Sequence, residues 1–348
     1  MKRQMLLTQS LLHAAAIAAL WGATLGFATE PGGLPAPTAT DPLPRSPWMT
    51  GLADSMRSEW IPLKPGIEFA TPGPQAAGKQ PIVVLVPGLL AREHSMISLQ
   101  SAIQRQEMAS GVFRYSSHQG VRSAATLLAQ QLRMLKASNP DDKVILVTHS
   151  MGGLVARCCL EDPATNPGNV TRLIMIAPPN HGSAVAGLSA AELAKQFPLL
   201  NSVTVDGCQS VDSAVCSFVG TAKDELKINS VLLQELAARP RAAGVRYSII
   251  AGSGGPVSAT WVDASFLVSD LFLSDQPDVK AALDSAREIA SLDEWTKGRG
   301  DGVVSVESAK LSGVSDFVTL PFGHNDFGLQ TTEATDQVVA EVIKRLSQ

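Results

Sequence analysis

Beyond residue 80 the apolar positions follow two rhythms. Pro81-Ile82-Val83-Val84-Leu85-Val86, Val144-Ile145-Leu146-Val147, Val170–Ala177 and Val245–Ala251 are short, near-continuous apolar runs, the pattern of strands buried on both faces. Val112–Tyr115 and Phe317–Leu320 are shorter strand candidates. Between them the spacing becomes helical. Ser95–Gln106 and Gly152–Leu160 read as helices, and Val121, Ala124, Ala125, Leu128, Leu132 and Leu135 mark one apolar face over about 119–138. Val338, Val339, Val342, Ile343 and Leu346 do the same near the C-terminus. Strands alternating with helices predict an α/β chain whose mostly parallel sheet is covered by helices on both faces. Residues 182–243 and 252–299 break the alternation and are too long for plain loops, so they are expected to be insertions.

The first 80 residues have a different character. Lys2 and Arg3 precede an alanine-rich apolar stretch running to Ala28, and the next charged residue is Glu30. Gly26-Phe27-Ala28 offers the small residues that signal peptidase needs, so residues 1–28 are expected to be a secretory signal and the protein to be secreted or periplasmic. The alternative is an uncleaved N-terminal membrane anchor, because the run is nearly long enough to span a bilayer. Residues 29–80 are expected to be a Pro-rich leader and lead-in. Eleven of the 22 prolines lie in 31–81, which excludes a regular helix or a central strand there, apart from a hairpin expected around Ile67-Phe69. Export places the four cysteines in an oxidising compartment. Cys208 and Cys216, close together in a loop-like segment, are the candidate disulfide. Cys158 and Cys159 are adjacent on a predicted helix and read as small core residues, since adjacent cysteines bridge only with strain.

Composition narrows the function without naming it. Of 348 residues, 45% are hydrophobic and 17% charged, ample for a core and incompatible with wholesale disorder. A net charge of −4 lacks the basic face that nucleic-acid binding requires. No C-x-x-C pair or His/Asp/Glu cluster has metal-ligand spacing. What remains is residues 81–348 as one expected catalytic domain.

The chemistry concentrates at Val147-Thr148-His149-Ser150-Met151-Gly152-Gly153, where a predicted strand ends, a serine follows and a helix begins. That is the setting in which a G-x-S-x-G elbow exposes a nucleophile. Gly152 meets the need for a small residue two places after Ser150, while Thr148 stands where glycine is usual two places before. Ala251-Gly252-Ser253-Gly254-Gly255 fits the loose motif too, but Pro256 follows and no helical pattern does, so Ser253 reads as part of a Gly-rich strand exit. A nucleophilic serine needs a base and an acid that orients it, which in this kind of fold follow in the order acid, then histidine. Of the two histidines downstream, His324 lies just after the last predicted strand and is the base candidate. Asp301, in a turn opening onto Val303-Val304-Ser305-Val306, is the acid candidate.

V-L-V-P-G-L-L (84–90), V-T-H-S-M-G-G-L-V-A (147–156), I-A-P-P-N-H-G-S (176–183), G-D-G-V-V-S-V-E-S-A (300–309) and G-H-N-D (323–326) together resemble the α/β-hydrolase superfamily, specifically its bacterial serine lipases and esterases. The resemblance implies an oxyanion hole built from two backbone N–H groups, those of Met151 and, by position, Leu89. Lipases often carry His-Gly before the latter residue; Pro87-Gly88 stands here, so this loop must be anchored differently. Some of these lipases bind calcium through an aspartate two residues after the histidine, a place that Asp326 occupies, although a single ligand falls short of the six to eight oxygens calcium takes. No other cofactor is implied. Asn180, His181 and Ser183 are expected to shape the pocket wall.

These residues predict a secreted hydrolase of carboxylic esters working through Ser150, His324 and Asp301, with no metal or cofactor in the chemistry. Activity is expected to fall in acid, once the base protonates. Apolar residues in the two insertions, including Leu188, Phe197, Trp261, Phe266 and Phe272, suit a lid over an acyl-chain pocket, which favours a lipid-like ester and transient contact with a lipid interface. Two alternatives remain open at this stage. An acyltransferase would use the same triad, and a non-catalytic binding protein of the same fold would need none of it.

Overall fold

The computed structural model describes residues 65–70, 80–89, 93–188, 221–256, 258, 291–324, 326 and 333–348. The expected signal and most of the leader, Cys208 and Cys216, and most of both insertions lie outside the described residues.

Continuous apolar runs form the central strands because alternate residues serve different cores. In β2 (Ile82–Val86), Ile82, Val84 and Val86 pack into one cluster while Val83 and Leu85 pack into another. β4 (Val144–His149) divides likewise, with Val144 and Leu146 on one face and Ile145 and Val147 on the other. β5 (Val170–Ile176) and β6 (Arg246–Gly252) continue the pattern. The first cluster is closed by α2 (Val121–Ser138), α3 (Met151–Leu160) and α4 (Val231–Ala238). The second is closed by α1 (Ile97–Gln104) and the C-terminal α6 (Glu333–Leu346). A strand with water on either side could not carry such a run.

With β1 (Gly66–Phe69), β3 (Ser110–Arg114) and β7 (Phe317–Leu320), the strands form one seven-stranded sheet in the order β1-β3-β2-β4-β5-β6-β7. Every neighbouring pair is parallel except β1 with β3. The expected hairpin at Ile67-Phe69 is therefore corrected. The segment is a strand, but its partner is Gly111–Arg114 more than forty residues on, where it forms the antiparallel sheet edge. The apolar run after Asp301 leads into the short helix α5 (Val306–Ala309), which Ser305 caps by accepting the Ser308 N–H.

The strand order reverses at β2. Its neighbours are β3 on one side and β4 on the other, so connections leave the carboxyl ends of β2 and β4 toward opposite faces and open a crevice between them. Helix α2, reached through that reversal, begins at Val121, whose N–H donates to the Glu225 carboxylate at 2.5 Å. An acidic group there satisfies an N–H that the helix leaves open and faces the positive end of the helix dipole. Cys158 and Cys159 are free thiols buried on α3; burial pushes them up to about 11 and about 12, so they remain neutral core residues. Among the described residues no helix is long and apolar enough to cross a membrane.

Candidate active site

Ser150 sits between β4 and α3 with φ 52° and ψ −126°, a conformation that non-glycine residues seldom adopt. Its place is fixed by neighbours on both sides. The Ser150 N–H donates to Ile176 O at 2.9 Å, and Ser150 O accepts from Gly153 N–H at 2.9 Å. The turn also demands close approach. A Cβ at Gly152 would meet the carbonyl oxygens of Val86 and Pro87, the latter at 2.7 Å, so nothing larger than glycine lets the elbow lie against the exit of β2. Thr148, the departure from the usual glycine, is fully buried with its hydroxyl directed to Ile174 O at 3.5 Å.

The structure brings the three candidate side chains into one line. Ser150 Oγ lies 2.8 Å from His324 Nε2, and His324 Nδ1 lies 2.8 Å from Asp301 Oδ2. A carboxylate can only accept, so Nδ1 carries the proton and Nε2 is left to accept from the serine hydroxyl. The other carboxylate oxygen, Oδ1, accepts the N–H groups of Val303 at 3.0 Å and Val304 at 2.8 Å. The backbone repeats the link, with His324 N–H donating to Asp301 O at 2.8 Å. All three residues are buried. Among the described residues, neither the Met151 N–H nor the Leu89 N–H meets a hydrogen-bond acceptor.

The second serine motif has a different use. Ser253 gives both its N–H and its hydroxyl to Leu320 O, at 2.9 and 3.2 Å, and no helix begins in 253–256. Its glycines allow close approach. A Cβ at Gly252 would come within 2.7 Å of Asp301 Cβ, and one at Gly254 within 2.7 Å of Gly323 N. The glycines at the exit of β6 thus let the acid and the histidine loops come together.

Asp326 is exposed and accepts the Gly323 N–H at 2.8 Å, closing the turn that carries His324. Among the described residues no three His, Cys, Asp or Glu side chains converge as metal ligands.

Asn180 and Ser183 do more than shape a wall. Ser183 Oγ donates to Val303 O at 2.5 Å, Asn180 Nδ2 to Ala309 O at 2.8 Å, His181 N–H to Ser308 O at 3.0 Å, and Ala184 N–H to Glu294 Oε1 at 2.9 Å. The exit of β5 thereby grips the whole segment from Glu294 to Ala309 that holds Asp301. Beside this grip is a cavity of about 480 Å3 lined by His181, Ile228, Glu294, Ser305, Glu307 and Lys310; Ser150 and His324 do not border it.

One neighbour went unnoticed in the sequence. The His149 ring lies 4.9 Å from the His324 ring, tilted by 39°. Burial, and secondly the charge His324 can carry, hold His149 well below the usual imidazole range, while a backbone hydrogen bond at His324 works the other way. His149 is therefore a neutral ring against His324. An unfolded His149 takes up a proton near pH 6.5, whereas the folded one does not, so its contribution to stability declines as pH falls below about 6.5. His149→Phe is expected to gain on the wild type by up to about 1.4 kcal/mol per pH unit in that window. Denaturant midpoints from pH 7.5 to 5 measure this, and parallel curves for the two proteins would refute it.

A serine on a strained strand-to-helix turn, hydrogen-bonded to a histidine and through it to an aspartate from later in the chain, fits one architecture. The chain has the α/β-hydrolase fold. A family model described as the PGAP1-like alpha/beta domain matches residues 118–224, the stretch from α2 through the elbow and β5. The mature form of the Bacillus licheniformis lipase BlEst2 superposes with a TM-score of 0.53 at 16% identity, covering 81% of this chain and 99% of the lipase. The propeptide form of that lipase gives 0.54 at 17% identity, covering 82% of this chain and 54% of that one. Among curated proteins none matches the sequence.

Proposed function

We propose that this α/β-hydrolase is a serine hydrolase of carboxylic esters. The observation that carries the reading is the unbroken chain Ser150 Oγ–His324 Nε2 and Nδ1–Asp301 Oδ2, each contact 2.8 Å, at the carboxyl ends of the sheet. In this reading His324 takes the Ser150 proton as Oγ attacks the ester carbonyl. The N–H groups of Met151 and Leu89 receive the oxyanion. His324 then protonates the departing alcohol, and water repeats both steps on the acyl-enzyme. Asp301 keeps the proton on Nδ1 and stabilises the imidazolium that forms. The apolar residues of the insertions support a lipid-like acyl group, and the N-terminal stretch supports export.

A fluorophosphonate probe and a series of esters of rising acyl length test the reading. Labelling and hydrolysis are expected in the wild type and in Ser253→Ala, and neither in Ser150→Ala. Preference for long acyl chains supports a lipase and for short chains an esterase; adding an acceptor alcohol separates hydrolysis from acyl transfer. Labelling that survives in Ser150→Ala would sink the assignment, as would loss confined to Ser253→Ala.

A further inference from the structure

The loop expected to carry one oxyanion donor begins with Pro87-Gly88. Proline's ring fixes φ of residue 87, so the direction of its carbonyl depends on one torsion, ψ. Gly88, which follows, resists almost no rotation. Left alone, the peptide leading to the Leu89 N–H would be loosely set. A single side chain removes that freedom. Tyr115, the residue after β3, is buried with its ring stacked on Phe113 at 5.1 Å, and its hydroxyl donates to Pro87 O at 2.7 Å. The same oxygen faces the first turn of α3 on its other side, where Gly152 leaves no room for a Cβ. Gly88 in turn backs onto the nucleophile, since a Cβ there would come within 2.9 Å of Ser150 Cβ.

We propose that Tyr115 is a positioning residue for the oxyanion hole. Its hydroxyl fixes the Pro87–Gly88 peptide against the elbow and so sets where the Leu89 N–H lies relative to the Met151 N–H. This rests on the function proposed above and adds the group that anchors the loop where His-Gly is absent. Donors of this kind act on charge that develops in the transition state. Misplacing one therefore lowers kcat and leaves KM nearly unchanged. Complete loss of a donor costs about 10²–10³ in rate; a donor that has merely been freed to move is expected to cost about 10- to 100-fold.

The test uses the full chain as wild type, Tyr115→Phe and Phe113→Leu, with kcat expressed per site titrated by the fluorophosphonate so that any misfolded fraction drops out. Tyr115→Phe keeps the ring and loses only the hydroxyl. Its kcat is expected to fall about 10- to 100-fold with KM within about twofold. Affinity for a boronic acid that mimics the tetrahedral adduct should fall by the same factor as kcat, with the pH profile unmoved. Phe113→Leu, which disturbs the stack and leaves the hydroxyl, should keep most of its kcat. Wild-type kcat in Tyr115→Phe, or an equal loss in Phe113→Leu, overturns the inference while the proposed function stands. Absence of labelling at Ser150 in the wild type overturns that function, and the inference with it.

Discussion

Asp301→Asn is expected to lower kcat by about 10⁴ while the protein remains folded. The expectation follows from how each carboxylate oxygen is used. Oδ1 accepts two backbone N–H groups, from Val303 and Val304, and Oδ2 accepts from His324 Nδ1. An asparagine has one accepting oxygen and one donating nitrogen. Two N–H donors hold the oxygen on the Oδ1 side, so the amide nitrogen must face the imidazole. Facing a donor, Nδ1 loses its proton and Nε2 acquires it. The ring then cannot accept from Ser150 Oγ, 2.8 Å away, and no longer serves as base. The shape of the site is unchanged, so folding should survive, and circular dichroism alongside ester hydrolysis separates the two effects. A folded Asp301→Asn with less than a tenfold loss would mean that His324 is oriented by something else.

The same residues show how far the sequence could be read. Continuous apolar runs such as Ile82–Val86 and Val144–Val147 announce buried parallel strands because burial on both faces leaves no polar position, and those strands lie where that pattern places them. Ser150 and His324 could be singled out because each stands just beyond such a run, and Asp301 because it sits in a turn between them, in the order that a serine, acid and histidine triad follows. The partner of β1 could not be. Pairing of Ile67 with Phe113 depends on a contact between distant segments, and local alternation carries no information about it. Asn180 and Ser183 looked like wall residues for the same reason. Their hydrogen bonds reach Ala309 and Val303, more than a hundred residues along the chain. The glycines around Ser253 imitated a nucleophile motif because close backbone approach needs glycine whether the neighbour is an elbow or a histidine loop.

Beneath the site, the elbow helix is tied to the acid segment through a buried charge. Arg157 of α3 is completely buried. Its guanidinium donates to both oxygens of Glu161, at 3.1 and 3.2 Å, to Leu236 O at 2.9 Å and to Asn180 Oδ1 at 3.1 Å. Asn180 then holds Ala309 O, beyond the acid. Nothing in the local pattern hints at this, since Arg157 and Glu161, one helical turn apart, look like an ordinary surface pair.

Arg157→Met is expected to destabilise the protein by about 3–5 kcal/mol, far more than a surface ion pair would. Methionine fills much of the space, so the cost is chiefly electrostatic. Glu161 stays buried, with Arg241 at 2.9 Å and the Tyr247 hydroxyl left to compensate it. Burial already pushes the Glu161 carboxyl up, against the pull of Arg157 and Arg241. Without Arg157 it moves further in that direction, and this gives the variant a pH signature. At neutral pH the native state must hold a poorly compensated carboxylate. Toward pH 4 the group takes a proton in the native state before it does in the unfolded one, and the penalty shrinks. The difference between wild type and Arg157→Met should thus be largest near pH 8 and diminish steadily in acid, as read from urea midpoints at each pH. Arg157→Met/Glu161→Gln, which removes the orphaned charge, should recover part of the loss at pH 8. A difference that stays constant with pH would make the defect one of packing, and Arg157 would then be a space-filling residue whose charge contributes nothing.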